Sequence, residues 1–465
     1  MARIKLTLLG GGGVRAPLFV SSALRRAPRI GLDEISLLDV DEGRLRIFEA
    51  LSRALTRGAS SPVRITATTN AREALEGAHY VIPTIRVGGD HGRALDERIA
   101  LRHGVLGQET TGPGGFAMAL RSIPAILRYA EMIEEVSPGA WILNFTNPAG
   151  LVVQALRDHG FTRTVGICDS ANAAQRAAAA RLQVDAARLQ ADVFGLNHLS
   201  WTRRVLLDGH DVLPRLLRDP AVIAGTLLRF FDRPLIAQMG MWLNEYLYYY
   251  YYAERAREAV VEGGRTRGEE IEELNEDLIK RLGTLVDTDP PAALHAYDAY
   301  QRRRDATYMR YAESEPTPPA ATSEGPHTTT INGDSEGDAH EGYAGVALDI
   351  MEAFASDRPL YTALNVPNEG AIACMRPDDV VEVSCVVDRD GVRPQAIGEI
   401  PEPQALLIRA VKLYERLTVQ AIRDRSRQTA VAALMAHPLV LSYSLARPLV
   451  DEYLTAHAPY VGTWG

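Results

Sequence analysis

The N-terminal run Ile4-Lys5-Leu6-Thr7-Leu8-Leu9 enters Gly10-Gly11-Gly12-Gly13-Val14 and leaves towards the helix-compatible Ser21-Ser22-Ala23-Leu24. A strand, a tight glycine turn and a helix start make a seat for a pyrophosphate. Glycine lets the backbone come close, and a helix N-terminus favours negative charge. Ile35-Ser36-Leu37-Leu38-Asp39-Val40-Asp41 reads as the next strand, ending in acid. Asp39, with Asp41 as the alternative, stands where a ribose hydroxyl pair is held, and a carboxylate there favours NAD over NADP by repelling a 2′-phosphate. The strict Gly-x-Gly-x-x-Gly spacing is not met, because position 15 is Arg.

Other residue types also carry chemistry. Cys168 ends an apolar run, and His198 lies in Gly195-Leu196-Asn197-His198-Leu199. A thiolate and an imidazole together suit a divalent metal of intermediate softness and leave coordination positions for substrate and water. On residue types alone, a buried cysteine and a hydrogen-bonded histidine without metal are the preferred account. Tyr246 precedes five further tyrosines, Tyr248 to Tyr252 after Leu247, in a segment with helical spacing. A cation lowers the pKa of a nearby phenol and so lets it serve as a general base, although packing is the preferred role for any single tyrosine here. Arg86, Arg93, Arg265 and Arg267 sit in glycine-containing polar segments and suit a phosphate through paired hydrogen bonds.

These residues need elements to position them. The first 190 residues alternate strand-like segments (4–9, 35–39, 63–67, 80–84, 141–145, 164–168) with helical patterns such as 43–57 and 121–136. That predicts an α/β fold with a Rossmann-like, doubly wound parallel sheet at residues 1–190. Its ligands belong beyond the carboxyl ends of the strands, where Gly10–Gly13, Asp39, Arg86–Arg93, Asn144–Pro148 and Cys168-Asp169 fall. Residues 191–465 read as a C-terminal mixed α+β domain for substrate, metal and oligomerisation. Helices are expected over 238–257, 269–282 and 405–435, and a strand over 380–387. The Pro-, Thr- and acid-rich stretch 312–340 reads as a surface loop.

With 465 residues, a net charge of −9 and no basic block, the chain gives no reason to expect nucleic acid as partner. Three cysteines give no disulfide framework and point to a reducing compartment. No apolar run is long enough for a membrane span, and the first strand starts at once, so a cytoplasmic protein is expected.

Several ordered motifs resemble glycoside hydrolase family 4, the NAD- and metal-dependent glycosidases, an exception to the two-carboxylate rule of most glycosidases. They are Gly10–Pro17, Ile85–Gly89 with Arg93 and Asp96-Glu97, Gly107–Gly115, Asn144–Pro148, Gly166–Asp169, Gly195–His198, Thr266–Glu270, Asn365–Asn368 and Val381–Val383. The resemblance implies NAD held by Gly10, Gly11, Gly12, Gly13, Val14 and Asp39, and a divalent metal, usually manganese, held by Cys168 and His198. Arg93, Asn147 and Arg267 match substrate-binding positions. Tyr246 matches the base that takes the proton from sugar C2, Glu109 an acid that raises its basicity, and Asp169 the proton donor of α-specific members. The implied reaction oxidises sugar C3 with NAD, removes the C2 proton, eliminates the C1 leaving group, adds water and returns the hydride.

Two positions depart from the pattern. Gly13 replaces a common serine, and Ala171 stands where many members have proline. Asp169 points to an α-linked phosphosugar, whereas 244–250 and 365–368 are more similar to the 6-phospho-β-glucosidase branch, which is the expectation adopted. A 6-phospho-α-glucosidase or an unphosphorylated α-glycosidase of the same family is the alternative. A 2-hydroxy-acid dehydrogenase and a non-catalytic NAD or sugar sensor are the readings from other classes. A homodimer or homotetramer is expected.

Overall fold

The computed structural model describes residues 3–57, 63–312 and 342–465. Apart from Ala312, the expected surface loop 312–340 lies outside the described residues. Six strands, β1 (Ile4–Leu9), β2 (Leu32–Leu38), β3 (Arg64–Thr68), β4 (Tyr80–Pro83), β5 (Trp141–Asn144) and β6 (Thr164–Gly166), pair in parallel in the order β6-β5-β4-β1-β2-β3. Leu6, Leu8, Leu9, Ile35, Leu37, Val81, Ile82 and Leu143 are buried in this sheet, as strands covered on both faces require. The expected α/β fold is present, and the order reverses between β1 and β4, where ligands settle in doubly wound sheets.

The chain beyond residue 190 also builds this sheet. The strands β7 (Leu189–Leu196) and β8 (Leu199–Leu207) form a hairpin, with β9 (His210–Asp211) and β10 (Trp242–Leu243) paired to β8. Then β11 (Leu360–Pro367), β12 (Val380–Asp388) and β13 (Gly391–Pro394) run antiparallel on the β6 edge and extend the sheet to nine strands. At the seam Asn365 faces Gly166, and a Cβ on Gly166 would stand 2.7 Å from that of Asn365. Glycine therefore admits the late strand. Residue 190 divides the sequence pattern but not the sheet.

Two expected helices are broken. Over 238–257 a helix ends at Met239 with Gly240 left-handed (φ 61°), β10 intervenes, and a short turn and two further helices follow. The second long helix stops at Asp424, where Arg425 is left-handed (φ 48°), and restarts at Arg427 under a Ser426 cap that accepts from Thr429 N. Helical periodicity runs through both breaks, so the caps decide. Among the described residues no helix is long and apolar enough to cross a membrane.

Candidate active site

The glycine turn is held by its neighbours in the sheet. Gly10 N and Gly11 N both donate to Leu38 O at 2.8 Å, and Gly10 is left-handed (φ 97°). Gly12 N donates to Asp39 Oδ2 at 2.9 Å, and a Cβ on Gly12 would lie 2.9 Å from that carboxylate. Asp39 Oδ1 accepts from Asp41 N at 3.1 Å. Asp41 is committed elsewhere, because its Oδ1 accepts from Arg44 N at 3.0 Å and caps the helix α2 (Glu42–Leu55). The helix α1 (Ala16–Ile30) starts at Arg15 without a side-chain cap, as an anion seat requires.

Gly10, Gly12, Gly13, Val14 and Asp39 line a cavity of about 960 Å³. Gly11 is not on its wall. A Cβ there would meet Leu37 Cβ at 2.7 Å, so Gly11 packs the turn against β2. The uncapped α1 N-terminus, the glycine cradle and the strand-end carboxylate fit a dinucleotide.

The same cavity reaches Arg86, Arg93, Glu109, Asn147 and Arg267. Glu109 accepts from Arg86 Nη2 at 2.7 Å and pairs with Arg93 Nη1 at 2.5 Å. Although burial opposes its charge, Arg86 and Arg93 hold the Glu109 carboxyl well below the usual range. Arg93 also donates Nε to Glu97 Oε1 at 2.8 Å, and Glu97 Oε2 accepts from Gly268 N at 2.6 Å. A Cβ on Gly268 would lie 2.9 Å from both Glu97 Oε2 and Ala94 Cα, so glycine brings the helix Arg267–Thr288 onto the site. Arg267 is braced by Glu270, Thr307 and Arg304 O. Arg265 lies off this cavity and pairs with Glu273.

Cys168, Asp169, His198 and Tyr246 line the wall as well. Cys168 follows the end of β6, and His198 sits in the two-residue turn of the β7–β8 hairpin with a left-handed φ of 62°. The His198 and Tyr246 rings lie face to face, 3.6 Å between centroids and 3° from parallel. His198 Nδ1 is 2.7 Å from Thr110 Oγ1, and Thr110 Oγ1 donates to Gln108 Oε1 at 3.1 Å. A tautomer with the proton on Nδ1, donated to Thr110, would leave the Nε2 lone pair for a metal. Burial pushes the His198 pKa down to about 4, which keeps the ring neutral.

Burial, then the Glu382, Asp169 and Glu245 carboxylates, push the Cys168 thiol well above its usual value. A buried thiol amid carboxylates, with a neutral imidazole lone pair, fits a divalent cation. Among the described residues no three His, Cys, Asp or Glu side chains converge as a metal set. Cys168 and His198 would hold such a cation, with substrate and water completing the coordination.

Burial and the Glu245 and Glu109 charges raise the Tyr246 hydroxyl well above its usual value, while a hydrogen bond from Tyr308 lowers it. Sequence reasoning missed Tyr308, which lies far along the chain without a motif. It also missed Glu245, buried, raised to about 7 by burial and accepting from Ser170 Oγ at 2.5 Å. The neighbouring tyrosines pack as expected, and the Tyr249 and Tyr252 hydroxyls find partners. Tyr252 OH donates to Asp232 Oδ2 at 3.1 Å, and Tyr249 OH meets Tyr311 OH.

The sequence matches the family described as Family 4 glycosyl hydrolase over residues 5–184 and its C-terminal domain over 193–440. It is 31% identical over 468 residues to a probable 6-phospho-beta-glucosidase of Bacillus subtilis (strain 168), covering 98% of this chain and 97% of the relative. A 6-phospho-beta glucosidase structure from Thermotoga maritima with manganese, NAD+ and glucose-6-phosphate has a TM-score of 0.82 at 26% identity, covering 100% of both chains. A 6-phospho-alpha-glucosidase from gut microorganisms, in complex with NAD and glucose-6-phosphate, has a TM-score of 0.83 at 25% identity, again covering 100% of both.

Proposed function

The chain belongs to glycosyl hydrolase family 4 and is a glycoside hydrolase, and from that premise we propose that it hydrolyses 6-phospho-β-glucosides with bound NAD and a divalent metal, manganese. The observation that carries the proposal is the single cavity lined by the glycine turn, the Arg86–Arg93–Glu109 cluster and the Cys168, His198 and Tyr246 side chains. A plain 2-hydroxy-acid dehydrogenase needs a histidine oriented by a carboxylate, whereas His198 Nδ1 meets Thr110.

In this reading the α1 N-terminus and glycine turn seat the pyrophosphate, and Asp39 receives ribose hydroxyls. Arg93, Asn147 and Arg267 hold the sugar and its phosphate. Glu109 keeps Arg86 and Arg93 aimed at the cavity and adds negative charge near Tyr246. As the phenolate that a cation held beside it would favour, Tyr246 takes the proton from sugar C2, with the Tyr308 hydroxyl donating to its oxygen. When bound, the cofactors supply hydride exchange at sugar C3 and electron withdrawal from the carbonyl oxygen formed there. Cys168 and His198 would hold the metal.

Asp169 favours a second reading. It lines the cavity directly after Cys168 and is half-buried, and its position in the chain matches the proton donor of α-specific members, which act on 6-phospho-α-glucosides. Hydrolysis of nitrophenyl 6-phospho-β- and 6-phospho-α-glucosides, with and without NAD+ and Mn2+, tests both. Turnover of the β anomer alone, dependent on both cofactors, is expected. Turnover of the α anomer alone transfers the assignment to Asp169-assisted α cleavage, and no turnover of either overturns the phosphosugar reading. Charged phosphosugars do not cross bilayers freely, which supports a cytoplasmic enzyme. A homodimer or homotetramer is tested by light scattering.

A further inference from the structure

Glu382 on β12 has no exposed surface and no part in the reaction just described. Its Oε1 accepts from Asn197 Nδ2 at 3.2 Å and from Asn365 Nδ2 at 3.0 Å. Its Oε2 accepts from Ser200 Oγ at 2.7 Å. Ser200 Oγ accepts from Asn244 Nδ2 at 3.2 Å, and Asn244 Oδ1 accepts from Tyr246 N at 3.0 Å, capping the turn Glu245–Leu247. Asn197 immediately precedes His198 in the hairpin turn. One carboxylate on the sheet thus ties down both the turn that carries His198 and the turn that carries Tyr246.

Both turns need a tie. His198 holds a left-handed φ of 62°, uncommon for a residue other than glycine, so its turn gains from outside support. Tyr246 sits in a single short turn between β10 and a four-residue helix, too little structure to fix a ring by itself. Yet the two rings stack at 3.6 Å and 3°. A carboxylate is suited to the junction because it only accepts, so it serves the three donors at once. An amide would turn an NH₂ group on Ser200 or on the two asparagines. Burying the charge is costly, and the three donors offset only part of that cost, since burial still pushes the carboxyl up to about 7.

We infer that Glu382 is a positioning residue that holds His198 and Tyr246 in register through Asn197 on one side and Ser200–Asn244 on the other. The inference rests on the roles proposed above for those two side chains, but the register itself can be read without cofactor, metal or substrate. The probe is the His198 Hε1 resonance in protein labelled with 13C-histidine, assigned by its loss in His198→Ala. In the wild type, the face of the Tyr246 ring is expected to shift this signal upfield. In Glu382→Gln and Ser200→Ala the upfield shift is expected to be lost while the other histidine signals stay in place. Mn2+ affinity and kcat should fall about 10–100-fold, as for other groups that orient a metal ligand, with NAD affinity unchanged.

An unmoved His198 signal in both variants overturns the inference, even if their melting temperatures fall. Ser200→Ala deletes one oxygen atom and reads the same resonance should Glu382→Gln not fold. A wild type that binds neither Mn2+ nor substrate overturns the proposed function alone, since the resonance test stands in the cofactor-free protein.

Discussion

Asp39 and Asp41 are two residues apart, and either is a sequence candidate for the ribose, but the structure gives them different work. Asp39 accepts from Gly12 N and Asp41 N, and Asp41 caps α2 through Arg44 N. Asp39→Asn keeps the size, removes the charge and turns an NH₂ on one of two backbone donors. A hydrogen bond to a charged acceptor is worth about 1.5–3 kcal/mol. Loss of one such bond in the turn, with a weakened ribose contact, comes to roughly 2 kcal/mol, or about 30-fold in NAD affinity. The preference over NADP should narrow as well, because the charge that repels a 2′-phosphate is gone. Asp41→Ala removes a helix cap worth about 1 kcal/mol of stability and leaves NAD affinity within about threefold. Calorimetric titration of NAD and NADP without substrate reads both variants independently of turnover. Unchanged NAD affinity in Asp39→Asn, or a larger loss in Asp41→Ala, would refute the assignment.

Tyr246→Phe should abolish exchange of the sugar C2 proton with solvent deuterium while NAD still binds; undiminished exchange moves the base elsewhere. Glu109→Gln removes the carboxylate shared by Arg86 and Arg93. Breaking a buried pair costs about 3–5 kcal/mol, of which the glutamine oxygen recovers part, so KM for the phosphosugar should change about tenfold or more and an unchanged KM would count against the clamp. His437 is buried, its Nδ1 accepts from Leu439 N at 3.2 Å, and burial lowers its pKa to about 3. Below the ordinary value near 6.5 the unfolded chain takes up a proton that the folded chain refuses. Stability should therefore fall by about 1.4 kcal/mol per unit as pH drops from roughly 6.5 towards 3. Urea midpoints between pH 7 and pH 5 should flatten in His437→Asn; an identical slope in the variant excludes His437 as the cause.

The parallel sheet was legible because strands buried on both faces are written as short apolar runs, and the glycine turn and Asp39 lie within or beside such strands. Cys168 and the Arg86–Arg93 segment were legible for the same reason, as unusual residues at strand ends. The breaks at Gly240 and Arg425 were not, because helical periodicity continues across them and a left-handed residue costs too little to mark a boundary. Gly11 and Gly12 read alike in sequence. Only packing separates them, since one faces Leu37 and the other the Asp39 carboxylate. The antiparallel extension of the sheet was equally hidden, because Asn365 and Gly166 are far apart in the chain and meet only where the missing Cβ lets them. Glu382 read as one acid within a strand motif. Its three donors come from β7–β8 and β11, and no local pattern encodes hydrogen bonds between such distant residues. Local sequence determined the residue types that can do the chemistry and the strands that end beside them. Tertiary structure decided which of them share a cavity, because that depends on contacts between segments distant in the chain.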